Sequence, residues 1–347
     1  MQRQTREIGS EFWLKRGEYN PESSRDGVYA LSGRTALDII IRDIRKTRPV
    51  TNAYLPAYSC ESMVMPFTDN GLTVSLYDMR LSANGLEYLV DSARATDILY
   101  INNYFGYENL FPEQLIEDFR SRGTIVIYDR THSLLRNEDD PEWADYSFAS
   151  IRKWTNVLAG AQAFKKNGTL DRPSEDYGFL TSRAEAMYNK AEYIYGDESI
   201  PKSLFLGQYS EFIHKLTEDY RGYKMDDISY SIWKSSDLAA IRGTRRSNAA
   251  FLHSNLEGVR FLSELKADDC PLFVPVFFPT KEKRDAVRSY LVSKDIYCPV
   301  HWPSNSLVED GMEVQTIFDT ELSVICDQRY GLEDMQTIVG EMNNIKI

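Results

Sequence analysis

Short apolar runs alternate with amphipathic stretches along most of this chain. After an irregular, polar N-terminal arm, SGRTALDIIIRDIRK sets Leu37, Ile40, Ile41 and Ile44 on one face of a helix that begins between Gly33 and Thr35. AYLPAYSC then reads as a strand and turn, SMVMPFTDNG as a helix closed by Gly71, and LTVSLYD as the next strand. DILYINNYFG and TIVIYD follow as strands, with PEQLIEDFRSRG as the helix between them. This alternation predicts an α/β fold built on a large, doubly wound, mostly parallel sheet. From about 173 to 265 the pattern turns helical and charged, with SDLAAIRGTRRSNAAFLHSNLEGV as one of the clearest stretches. Alternation resumes near 271, where PLFVPVFF, KEKRDAVRSYLVSKD, IYCPVHWP and LSVICDQRYGLEDMQTIVGEM predict a compact α+β domain. The expected division is therefore 1–265, holding the arm, the large α/β domain and the connecting helices, and 266–347, a small C-terminal α+β domain.

Composition narrows the class of function. A chain of 347 residues with 42% hydrophobic content can bury the core of one large and one smaller domain. Its formal net charge of −12 opposes nucleic acid as the main partner and favours a small metabolite. Cys60, Cys270, Cys298 and Cys326 share no CxxC spacing, and His132, His214, His253 and His301 form no HExxH-like cluster, so no metal is expected. The N-terminal MQRQTREIGSEFW lacks a signal-type apolar segment, and no apolar run approaches the roughly 20 residues of a membrane span. The expectation is a cytoplasmic protein that does not engage a membrane.

Two segments carry candidate chemistry. TIVIYDRTHS is a β-branched and aromatic run suited to a buried parallel strand, and it delivers Asp129 to the carboxyl edge where ligands of open α/β sheets collect. SFASIRKW presents Lys153 shortly afterwards. A carboxylate can pair with a protonated pyridine nitrogen and a lysine can condense with an aldehyde, the two protein groups that pyridoxal phosphate requires; an ordinary surface pair is the alternative. Arg152 is a cationic neighbour able to favour the unprotonated form of Lys153. Ser32, Gly33, Arg34 and Thr35 stand at a helix start, either as a phosphate-binding turn or as a plain N-cap. Arg34, Arg130 and Arg152 are candidates for a local phosphate-binding cluster.

SGRTAL, LPAYSCESMVMPF, INNYFG, YDRTHS, SFASIRKW, IYCPVHWP and ICDQRYGLEDM, in this order, resemble the pyridoxal-phosphate enzymes of the DegT/DnrJ/StrS sugar aminotransferase family, of aspartate-aminotransferase (type I) fold. The resemblance runs from near residue 8 to 340. It implies a Schiff-base lysine at Lys153, a ring-nitrogen partner at Asp129, a small residue under the ring at Thr131, and His132 near the phenolic oxygen. Gly33, Arg34 and Thr35 match the phosphate turn, with Ser147 or Ser150 on the other side. The stretch from Tyr58 to Cys60 supplies the side chain on the exposed ring face: Tyr58, or Cys60 if the alignment shifts by two places.

The resemblance further implies an amino acid donor, most often glutamate, a nucleotide-linked keto-sugar acceptor, and a homodimer. The departures are VLAGAQAF, which keeps only Gly160 of a usual glycine run, and YDRTH, which puts Arg130 beside the acid, facing solvent or a substrate anion. His301 either reaches the pocket as a substrate ligand or is a buried structural histidine, and Asn103 either lines the site or packs. Ser229 and Asn248 either approach a neighbouring subunit's site or lie on helix surface, and Asp237 and Arg245 suit a surface ion pair. A dehydratase or lyase of the same fold and a non-catalytic dimer are the other classes, and the presence of Lys153 favours aminotransfer.

Overall fold

A computed structural model describes residues 7–14, 27–197 and 199–345. Most of the expected N-terminal arm lies outside the described residues. The chain divides into two compact units, each discontinuous in sequence. The first comprises Met1–Glu7, Glu11–Thr47 and Phe148–Ser236; the second comprises Ile8–Ser10, Arg48–Ser147 and Asp237–Ile347, so everything from 266 onward falls in the second.

In the second unit the strands Asn52–Pro56, Thr73–Ser82, Ile98–Asn102 and Ile125–Asp129 run parallel. Gly85–Leu89 folds back antiparallel on Thr73–Ser82. The sheet is thus mostly parallel, as the periodicity predicts, and the added hairpin edge strand lies where the apolar alternation continues past Tyr77. All five residues of Ile98–Asn102 are buried, which is why ILYIN reads as a continuous apolar run with no polar face. The helices Glu61–Asp69 and Glu113–Ser121 provide crossovers, the latter burying Ile116 and Phe119 on one side. The C-terminal part adds a three-stranded antiparallel sheet, Arg260–Phe261, Val274–Phe277 and Glu321–Val324, with the helices Lys281–Val292 and Leu332–Asn343. A single core of aromatic and aliphatic side chains, from Tyr54, Tyr58 and Tyr104 to Phe277 and Phe318, joins the parallel sheet to this part.

In the first unit the helix Gly33–Thr47 buries Leu37, Ile40, Ile41 and Ile44, the face expected from spacing. Val28–Ala30 pairs antiparallel with Ala161–Lys165. The helices Leu180–Ile194 and Lys202–Glu218 pack together around Met187, Phe205 and Tyr209. Among the described residues, no helix is long and apolar enough to cross a membrane.

One glycine in the second unit is dictated by close approach. Gly106 has φ +80°, and a Cβ there would overlap the Cys270 carbonyl and meet the His132 carbonyl. Backbone strain and overlap together predict that Gly106→Ala loses about 2 kcal/mol or more of stability. Urea unfolding measures this, and an unchanged midpoint would show that the turn can open without cost.

Candidate active site

The acid end of the candidate chemistry belongs to the second unit. Asp129 closes its strand with only 4% exposure. Its Oδ1 accepts the Thr131 N–H at 2.7 Å and its Oδ2 accepts the Tyr100 hydroxyl at 2.5 Å. Hydrogen bonds donated to a buried carboxylate stabilise its charge. Burial, followed by the neighbouring Asp129, holds the Tyr100 phenol well above its ordinary pKa, so it remains a neutral donor. The ladder that pairs Asn102 with Asp129 brings the Tyr100 strand alongside the acid, a relation not legible from either segment alone.

His132 is buried next to this acid, and the Phe105 N–H donates to its Nδ1 at 3.3 Å. A neutral His132 therefore carries its proton on Nε2. Its ring lies 5.4 Å from Trp302, 5.6 Å from Phe105 and 5.6 Å from His301. The two histidines of the sequence reading are brought together here, although the chain separates them widely.

Tyr58 is fully buried, its ring packed by Tyr104, Trp302 and Phe318, and its hydroxyl donates to the His301 carbonyl. Cys60, at the N-cap of Glu61–Asp69, is partly exposed and contacts the Ser62 hydroxyl at 3.0 Å. Asn103 is buried, donating to the Tyr128 hydroxyl at 3.0 Å and accepting from Asn109. Ser147 gives its hydroxyl proton to Asp140, whose other oxygen pairs with Arg130 at 2.5 Å.

The remaining candidates belong to the first unit. Ser32 caps the helix, its Oγ accepting the Thr35 N–H at 3.3 Å, while the Thr35 hydroxyl donates to the Tyr220 carbonyl at 2.7 Å. The start of the helix Gly33–Thr47 is where backbone N–H groups suit an anion. A Cβ on Gly33 would stand 3.5 Å from Ser150 Cβ, so these two candidates adjoin. Lys153, half-buried, ends the 3₁₀ turn Ile151–Lys153. That turn is tied to Gly160, whose carbonyl accepts the Ile151 and Arg152 N–H groups at 2.9 and 3.3 Å. Gly160 itself, at φ +152°, holds a conformation that strains other residues, and a Cβ there would have to displace the end of the Met225 side chain. Retaining this one glycine preserves the loop in a segment otherwise reading Ala159 and Ala161.

Several arginines have other employment than the expected anion cluster. Arg34 donates from Nη1 to the Leu216 carbonyl and the Thr217 hydroxyl, at the carboxyl end of Lys202–Glu218 where carbonyls lack helical partners. Arg130 is held by Asp140. Arg152 lies 3.8 Å from Glu11; burial brings its guanidinium down to about 10. Burial raises the Glu11 carboxyl, but Arg183 and Arg152 outweigh it and bring it to about 2.

Ser229 and Asn248 do not lie on helix surface. Ser229 is fully buried and accepts the Leu158 and Ala159 N–H groups, clamping the loop after Lys153. Asn248 is buried and donates to the Tyr330 carbonyl at 2.9 Å. Asp237 caps its own helix at the Ala240 N–H. Arg245 is buried and binds Gln328 and the carbonyls of Pro271 and Leu272 instead of forming a surface pair. Among the described residues, no group of three or more His, Cys, Asp or Glu is placed to hold a metal ion.

No family model and no curated protein matches the sequence. Solved structures do match over most of the chain. The PLP-form of a sugar aminotransferase, Spr1654 from Streptococcus pneumoniae, is 14% identical, covers 91% of this chain and 85% of its own, and gives a TM-score of 0.64. PseC of Helicobacter pylori, an aminotransferase involved in the biosynthesis of pseudoaminic acid, is 12% identical, with coverage of 97% and 98% and a TM-score of 0.66. DesI, solved in the presence of its TDP-sugar product, is 12% identical, with coverage of 92% and 80% and a TM-score of 0.61. Identity this low speaks only to architecture, and on that the coverage and the mostly parallel sheet agree: the chain has the α/β fold of these aminotransferases.

Proposed function

We propose that this protein is a pyridoxal-phosphate-dependent aminotransferase of the DegT/DnrJ/StrS type, moving an amino group from glutamate to a nucleotide-linked keto-sugar. The observation that carries it is Asp129, a buried carboxylate at the end of a parallel strand, steadied by two donors and followed by Thr131 and His132 as the family pattern requires. The matched fold and the ordered motifs support the same conclusion.

The residues present suit the cofactor. Asp129 would pair with the pyridine nitrogen, the Gly33 and Arg34 N–H groups with Ser150 would hold the phosphate, and Lys153 would hold the aldehyde carbon. Cys60, being partly exposed where Tyr58 is locked in the core, is the better cover for the ring face. When bound, pyridoxal phosphate supplies an electrophilic carbon and a ring that delocalises charge developing at the donor's α-carbon. Lys153 Nζ would serve as the general base for the donor's α-proton and then as the acid that returns it. Asp129 would keep the ring nitrogen protonated by its charge, and His132 Nε2–H would be the donor available to the ring oxygen.

The test is an absorbance spectrum of purified protein reconstituted with pyridoxal phosphate, recorded before and after adding glutamate, on size-exclusion fractions. Visible absorbance should travel with a homodimer and shift on glutamate addition. Protein that stays colourless in the presence of pyridoxal phosphate would sink the proposal.

A further inference from the structure

Beside His132 lies a chain of polar groups that core packing does not require. Glu321 and Ser323 are fully buried, and His301 nearly so. Ser323 Oγ stands 2.6 Å from Glu321 Oε1 and 2.8 Å from His301 Nδ1. The His301 backbone N–H donates to Glu321 Oε2 at 2.7 Å, which leaves Oε1 as the oxygen able to carry a proton. Around the His301 ring stand Phe273 at 4.9 Å, Trp302 at 5.4 Å, Phe105 at 5.9 Å and His132 at 5.6 Å.

We propose that Glu321, Ser323 and His301 form a proton relay, in which a proton stored on the Glu321 carboxyl is presented at His301 Nε2 through the Ser323 hydroxyl. Two arrangements satisfy each contact along this path. With Glu321 ionised, Ser323 donates to Oε1, His301 Nδ1–H donates to Ser323 Oγ, and Nε2 holds a lone pair. With Glu321 protonated, Oε1–H donates to Ser323, Ser323 donates to Nδ1, and Nε2 holds the proton. Uptake of one proton at Nε2 converts the first into the second. The Nδ1 proton passes to the Ser323 oxygen, the former Ser323 proton passes to Oε1, and neither the imidazole nor the hydroxyl is left charged.

The surroundings keep both states within reach near neutrality. Burial pushes the Glu321 carboxyl up to about 8, outweighing the hydrogen bonds from Ser323 and the His301 N–H and the charge of Arg284. Arg284, from the helix Lys281–Val292, is the cation that faces it, donating to the Glu321 and Phe318 carbonyls. Tyr58 and Cys298 also face it, but burial lifts the phenol well above its ordinary pKa and the thiol to about 12, so both stay neutral. His132 faces the far end of the relay. Use of the relay in catalysis rests on the aminotransferase proposal, under which His132 adjoins the ring oxygen and His301 can exchange a proton that Lys153 does not handle. The relay itself does not depend on it.

The experiment is long-range ¹H–¹⁵N NMR of the full chain with ¹⁵N-histidine, from about pH 6.5 to about pH 9.5, with the His301 signals assigned by their loss in His301→Asn. His301 should carry its proton on Nε2 at the lower end and on Nδ1 at the upper end, with a midpoint near 8. In Glu321→Gln the amide donates to Ser323 at every pH, so Nε2–H should persist throughout. Ser323→Ala removes one oxygen and should uncouple His301 from Glu321, abolishing the switch. One unchanging His301 tautomer in the native protein, or a switch that survives in Ser323→Ala, overturns the relay. A switch in protein that never takes up pyridoxal phosphate would uphold the relay while refuting the aminotransferase proposal.

Discussion

Replacing Lys153 by alanine is expected to abolish turnover, by about 10⁴-fold or more, and to remove the visible absorbance of covalently held cofactor. The magnitude follows from losing a nucleophile and a proton carrier in one substitution. Stability should change little beside the loss of turnover, because Lys153 is half-buried at the end of a short turn whose backbone is tied to the Gly160 carbonyl. Comparing urea midpoints with spectra separates the two effects. A variant that unfolds at native urea concentrations but keeps its absorbance would move the covalent role away from Lys153.

Asp129→Asn should retain bound cofactor and lose turnover by on the order of 10² to 10⁴-fold, because on the proposed function it removes the charge that would keep a ring nitrogen protonated while preserving shape. Asparagine is the informative choice. Its Oδ1 still accepts the Thr131 N–H and its amide can face the Tyr100 oxygen, whereas alanine would strand two buried donors at a cost of about 1–3 kcal/mol each. Steady-state kinetics beside a cofactor titration makes the measurement. Undiminished activity in a folded, loaded Asp129→Asn protein would remove Asp129 from the mechanism.

The strand that carries Asp129 was legible because IVIYD is β-branched and aromatic over a length that suits a buried strand. The helix at Gly33 was legible because Leu37, Ile40, Ile41 and Ile44 recur at helical spacing behind a serine cap. Other residues gave no such sign. Arg130 could face solvent or a substrate anion by sequence, and only folding showed that Asp140 holds it and also takes the Ser147 hydroxyl. By alignment Tyr58 came first and Cys60 second, and only packing showed the tyrosine ring set among Tyr104, Trp302 and Phe318. Tyr100 and Glu321 passed unnoticed, and Ser229 gave no sign of the loop it clamps, because their roles depend on partners remote in the chain or in another element.

The sequence alone determined the order of strands and helices and the place of Asp129 and Lys153 in that order. Periodicity and motif spacing are local properties, written within a few residues of each other. The tertiary structure decided which polar groups have partners: Tyr100 donating to Asp129, Ser229 clamping the Lys153 loop, Ser323 lying between His301 and Glu321. A hydrogen bond needs two specific atoms within about 3 Å, and that distance is set by strand register and by packing between segments the sequence keeps apart.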